Sequence, residues 1–86
     1  KICECIEQGK YALSRHAIQR QNSRHIELED VLYVLKNGHH EKTKTSFDEA
    51  FQKWKYAVRG RTLEKVDIRV IIGFDQFGML IITVMH

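Results

Sequence analysis

Three residues are spaced for chemistry along one helical stripe: His16, Arg20 and Arg24, each four residues after the last. At about 100° per residue they spread over roughly 80° of a helix surface. An imidazole can give or take a proton near neutral pH. Guanidiniums stay charged and offer a planar fork of donors that suits phosphate. Tyr11 and Ser14 precede them in the same block, YALSRHAIQR. Leu13 and Ala17 fall alongside the stripe, and Ile18 is the one strong apolar residue opposite. The stripe should therefore border a packed interface. On spacing alone, a half-covered histidine with two solvated arginines is an equally good reading.

A second basic set lies in KWKYAVRGR, where the pattern alternates. Lys53, Lys55, Arg59 and Arg61 point one way; Trp54, Tyr56 and Val58 point the other. Residues two apart on a strand lie about 7 Å apart on one face, near the phosphate spacing of a single strand. A solvated edge strand, guarded by lysine against edge pairing, explains the same pattern and is the simpler reading. Trp54 and Tyr56 could stack on bases, but their alternation with basic residues favours the core.

Other chemistries find no matching pattern. There is no Gly-rich phosphate loop, no G-x-S-x-G and no Cys/His dyad. No acid and histidine cluster has metal-ligand spacing. Cys3 and Cys5 stand in a C-x-C pair that fits a disulfide poorly and points to a reduced, cytoplasmic chain. A zinc site joining them to His39 and His40 matches no standard spacing. RNA cleavage without a metal needs a base for the 2′-OH, an acid for the leaving 5′-oxygen and cations for the charge that develops on phosphorus. His16 and the arginines supply part of that set. Tyr11, Tyr56 or a second histidine could complete it; His86 is one candidate, while His25, His39 and His40 have no clear link to His16. No cofactor is called for.

These residues sit in 86 positions, enough for one domain with a thin core. The net charge of +3 permits a polyanionic partner without demanding one. Apolar runs are far too short for a membrane span, and no leader is visible.

Residues 2–8 form a short helix closed by Gly9. Ser14 caps a second helix to about residue 22 or 23. In IELEDVLYVLKNG, Leu28, Val31, Leu32 and Leu35 make one apolar stripe, with Glu29 and Asp30 in the first turn and Asn37-Gly38 as the stop. Strands follow at KWKYAVRGR, VDIRVIIGF and MLIITVMH, the last two joined by a hairpin turn at Asp75, Gln76 and Gly78. Residues 39–46 hold an edge strand, then a loop or short helical turn. The expectation is α+β: two to three N-terminal helices packed on a 3–4-stranded antiparallel sheet, residues 1–86 as a single domain.

The ordered blocks YALSRHAIQR, RHIELEDVLYVLKNG, KYAVRGRT, DIRVIIGF and LIITVMH resemble the small bacterial domain of unknown function 4258 (DUF 4258). That family is similar to the RelE-like ribonuclease toxins, including the MqsR- and BrnT-like ones, with a two-layer fold. The resemblance implies the toxin of a type II toxin–antitoxin system: a cytoplasmic, metal-independent endoribonuclease acting on mRNA. It implies two partners, the RNA substrate and a cognate antitoxin of zinc-finger or helix-turn-helix type. By position His16, Arg20 and Arg61 become the catalytic candidates. Tyr11, Ser14, Arg59 and Thr83 become substrate-binding ones, and Arg24 from the helical stripe and Lys55 from the basic strand face join them by spacing. The chain departs from the family pattern at Met85, where an aromatic is usual, at Glu27, and in the length of HHEKTKTSFDEAFQKW. The alternative is a non-catalytic protein- or nucleic-acid-binding module of the same fold.

Overall fold

A computed structural model describes residues 2–50 and 52–86. Three α-helices come first: α1 (Ile2–Glu7), α2 (Arg15–Arg24) and α3 (Leu28–Asn37). A three-residue strand, β1 (Tyr11–Leu13), separates the first two. Then come β2 (His39–His40), a 3₁₀ turn at Lys42–Lys44, β3 (Ser46–Asp48), β4 (Lys53–Arg61), β5 (Asp67–Asp75) and β6 (Gly78–Met85). The fold is α+β, as the pattern predicts. The sheet runs β1-β6-β5-β4-β2, with β3 beside the start of β4.

The three long strands are those expected. Around them the sheet has three short additions among the described residues. Tyr11–Leu13, which the local pattern assigns to no element, pairs in parallel with Met79–Ile81 of β6. Leu13 therefore precedes α2 and is no part of its stripe. Residues 39–48 supply two strand fragments, not one, broken by the 3₁₀ turn.

Helix boundaries follow local chemistry. Ser14 accepts a hydrogen bond from the Ala17 amide at 3.0 Å, the N-cap expected of it. His25 takes the left-handed conformation at the far end, where its amide reaches the Gln21 carbonyl. The Asp30 carboxylate accepts from the Glu27 amide at the start of α3. Gly9 closes α1 with a φ of 69°.

One core lies between the helices and one face of the sheet. Ala17, Ile26, Val31, Val34 and Leu35 meet Val58 of β4, Ile68, Val70 and Ile72 of β5, and Met79, Ile81 and Val84 of β6. Cross-strand register explains the set: Val58 lies opposite Val70, which lies opposite Val84. Ile72 lies opposite Ile81, while Ile71 lies opposite Thr83, so Ile82 is an extra, bulged residue. At the other edge α3 ends tightly against β4. A Cβ on Gly38 would stand 2.5 Å from the Arg59 carbonyl oxygen, and one on Gly60 would stand 3.0 Å from the Gly38 Cα. Only hydrogen fits between these backbones.

Candidate functional site

Ser14 fixes α2 to the sheet. Besides capping the helix, its hydroxyl donates to the Ile82 carbonyl at 2.6 Å, and its amide donates to the Ile81 carbonyl at 2.9 Å. Ile82 is the bulged residue, so Ser14 satisfies a carbonyl that the ladder leaves over. Ala17, completely buried, seats the first turn. With these two anchors α2 is rotated so that His16 is exposed while Arg20 and Arg24 are half-buried. The stripe borders the packed interface, as its composition suggests.

Each arginine of the stripe meets an imidazole. Arg20 Nε donates to His16 Nε2 at 3.3 Å. Arg24 Nη1 lies 3.0 Å from Nδ1 of His86, just past the end of β6. A guanidinium has donors only, so in both contacts the imidazole nitrogen is the acceptor and must carry no proton. Arg24 Nε is buried without a partner. Neither arginine has an acid within ion-pairing distance among the described residues. Among the described residues, α2 and the end of β6 thus bring together two cationic forks and two imidazoles with no carboxylate within ion-pairing distance of either fork. Such a surface can hold an anion and exchange protons with it.

The strand arginines are arranged differently. Val58 is in the core and Gly60 faces Gly38, so Arg59 and Arg61 point to the opposite face of the sheet. Arg59 is bound to the Asp67 carboxylate at 2.7 Å and lies 3.9 Å from Glu41. Arg69 donates to both Glu41 oxygens, at 2.6 and 3.4 Å. The Arg69 guanidinium holds the Glu41 carboxyl below the usual glutamate range. Arg59 does the same to Asp67 and is itself raised by it. Arg61 is exposed and lies opposite Asp67 in register. Lys55 is paired with Asp48 at 2.9 Å. Arg59, Arg61 and Lys55 therefore do not join His16, because strand parity sends them to the other face.

The remaining candidates take structural positions. Tyr11 is half-buried in β1 against the core. Thr83 is buried opposite Ile71, and its hydroxyl has no hydrogen-bond partner. Cys5 is in the core and Cys3 is exposed, both as free thiols. No group of three His, Cys, Asp or Glu that could hold a metal ion occurs among the described residues. No helix there is long and apolar enough to cross a membrane. Sequence spacing gives little weight to His86; its only signal is its place directly after an apolar strand. The Glu41–Arg69 pair has no sequence signal, since 28 residues separate its members.

No curated protein and no solved structure matches the chain. A family model matches residues 13–86, which covers the stripe, α3 and all the strands except the start of β1. The chain belongs to the family described as a domain of unknown function, DUF4258.

Proposed function

We propose that this domain is a metal-independent endoribonuclease, the toxin of a bacterial type II toxin–antitoxin pair. The observation that carries the reading is the α2 stripe, with two arginines whose hydrogen-bond partners are imidazole nitrogens. In this reading Arg20 and Arg24 hold the phosphate that gains charge in the transition state. His16 takes the proton of the 2′-OH. The oxygen attacks the adjacent phosphorus, the bond to the 5′-oxygen breaks, and His86 in its protonated form supplies the proton that oxygen needs. The products are a 2′,3′-cyclic phosphate and a free 5′-hydroxyl.

Eight residues separate His16 from Arg24, about 12 Å along a helix axis. Arg20 lies one helical turn from each and stands between the two ends of the stripe. Phosphate entering between the two pairs would compete for both guanidiniums and release both rings. Glu41 and Asp67, acids that could otherwise hold a divalent ion, are committed to arginines on the opposite face. The reading adds an RNA substrate, a cognate antitoxin of zinc-finger or helix-turn-helix type and a cytoplasmic site of action.

The test is chemical. The purified domain should cleave single-stranded RNA in the presence of EDTA and leave 2′,3′-cyclic phosphate ends. His16→Ala should abolish cleavage while the thermal melt stays in place. RNA that is bound but left intact, together with equal harmlessness of wild type and His16→Ala in growing cells, would remove the enzyme reading and leave a binding module.

A further inference from the structure

Trp54 departs from the alternation that should bury it. Tyr56 and Val58, on the same face of β4, pack against or within the core, yet Trp54 is 51% exposed. The reason is where the sheet stops. Pairing of β4 with β5 begins at Tyr56 opposite Ile72. Lys53–Lys55 pair with Asp48–Ser46 of β3 instead. This short two-stranded ribbon has no ladder partner in β5.

On one face of the ribbon Trp54 meets Phe47, itself 41% exposed, edge to face at 5.4 Å between ring centres. An edge-to-face pair leaves part of a ring face open. Lys53 and Lys55 point to the other face. There they border an apolar hollow of about 320 Å³ that reaches Gly73, Leu80 and Ile82. Charge gathers here too. Between residues 42 and 55, Lys42, Lys44, Lys53 and Lys55 stand against Asp48 and Glu49, so this segment carries two of the chain's three net positive charges.

We propose that the β3–β4 ribbon is a single-strand RNA contact in which a nucleobase stacks on Trp54 and the exposed Lys42, Lys44 and Lys53 of the same segment draw the strand's phosphates, Lys55 being held by Asp48. A half-exposed indole beside lysines is how single-stranded nucleic acid is held without sequence readout. Three paired residues on each strand offer too little surface for a standard protein interface. The choice of RNA as ligand rests on the endoribonuclease reading above; the stacking itself does not.

Trp54 is the sole tryptophan, so its emission reports on the ribbon alone. The intact chain is titrated at low salt with a single-stranded 2′-O-methyl oligonucleotide, which lacks the attacking hydroxyl. Saturable quenching is expected, weakened by added salt. Trp54→Ala should weaken binding of the same labelled oligonucleotide on the order of tenfold or more, and Trp54→Phe should retain most of it. Binding with no change in emission, or with full affinity in a folded Trp54→Ala chain, overturns the proposal. An emission change produced by a protein but by no oligonucleotide does so as well. Quenching without cleavage by wild type keeps the contact and removes the enzyme. Cleavage with an unaltered KM in Trp54→Ala keeps the enzyme and removes the contact.

Discussion

Arg24 and His86, 62 residues apart in sequence, lie 3.0 Å from each other where the end of α2 passes the end of β6. That contact turns a one-helix stripe into a two-element site. If the proposed chemistry is right, His86→Ala should lower kcat for RNA cleavage by about 10²- to 10⁴-fold, the usual worth of a general acid. The double variant with His16→Ala should lose little more than either single one, because the two protons move in one step. Equal kcat in wild type and His86→Ala would reassign the acid.

Ser14 holds two backbone groups at once, the Ala17 amide and the Ile82 carbonyl. Ser14→Ala removes a helix cap and strands a carbonyl, for a loss of about 2 kcal/mol in chemical denaturation. Ser14→Thr should recover most of it. If the domain cleaves RNA as proposed, the alanine variant should also lose cleavage beyond its loss of stability, since the hydroxyl ties α2 to the sheet.

Thr83 presents a buried hydroxyl with no partner. Thr83→Val keeps the shape and removes that group. The variant should be more stable by about 1 kcal/mol in the absence of RNA, the lower end of what an unsatisfied buried group costs. If the hydroxyl instead meets substrate, the same variant will melt higher and cleave more slowly. Unchanged cleavage confines Thr83 to the fold.

Gly38 and Gly60 let α3 end against β4 with no side chain between them. Gly38→Ala puts a methyl 2.5 Å from the Arg59 carbonyl oxygen, which is backbone and cannot swing away. A destabilisation of about 1–3 kcal/mol or more is expected from such overpacking. Gly9, where a Cβ would meet nothing within 4 Å, is the control for space, though its positive φ still disfavours alanine.

The Glu41 and Asp67 carboxyls are held below their usual range by Arg69 and Arg59. Both groups release their protons more readily folded than unfolded. The unfolded chain then binds more protons through the window between the two states, and stability rises with pH across it. The contribution is complete above the ordinary carboxylate range, about pH 4–5, and is lost as pH falls through the lower folded values. Melting temperatures of wild type and Glu41→Gln should differ at pH 7 and converge toward pH 3. A constant gap across that range would contradict the assignment.

Much of the molecule follows from the chain read locally. Ser14 as a cap, the apolar stripe of α3 and the stop at Gly38 are near-neighbour effects, so each is legible in a few residues. KWKYAVRGR shows its alternation and the other two long strands their β-branched content, and the His16–Arg20 contact follows from a spacing of four on a helix. The family relationship is also visible in the order of the blocks. Tertiary structure decided the rest, because it depends on register and on where the sheet ends. Strand parity about Val58 turned Arg59 and Arg61 away from His16 and gave Arg59 to Asp67. The bulge at Ile82 supplied the carbonyl that anchors α2. The β4–β5 ladder begins only at Tyr56, and Trp54 is left half in solvent although its alternation with lysines reads as core. His86 met Arg24 only because a parallel β1–β6 pair launches α2 alongside the final strand. None of these is set by a residue's own type; each is fixed by which partner the fold puts opposite.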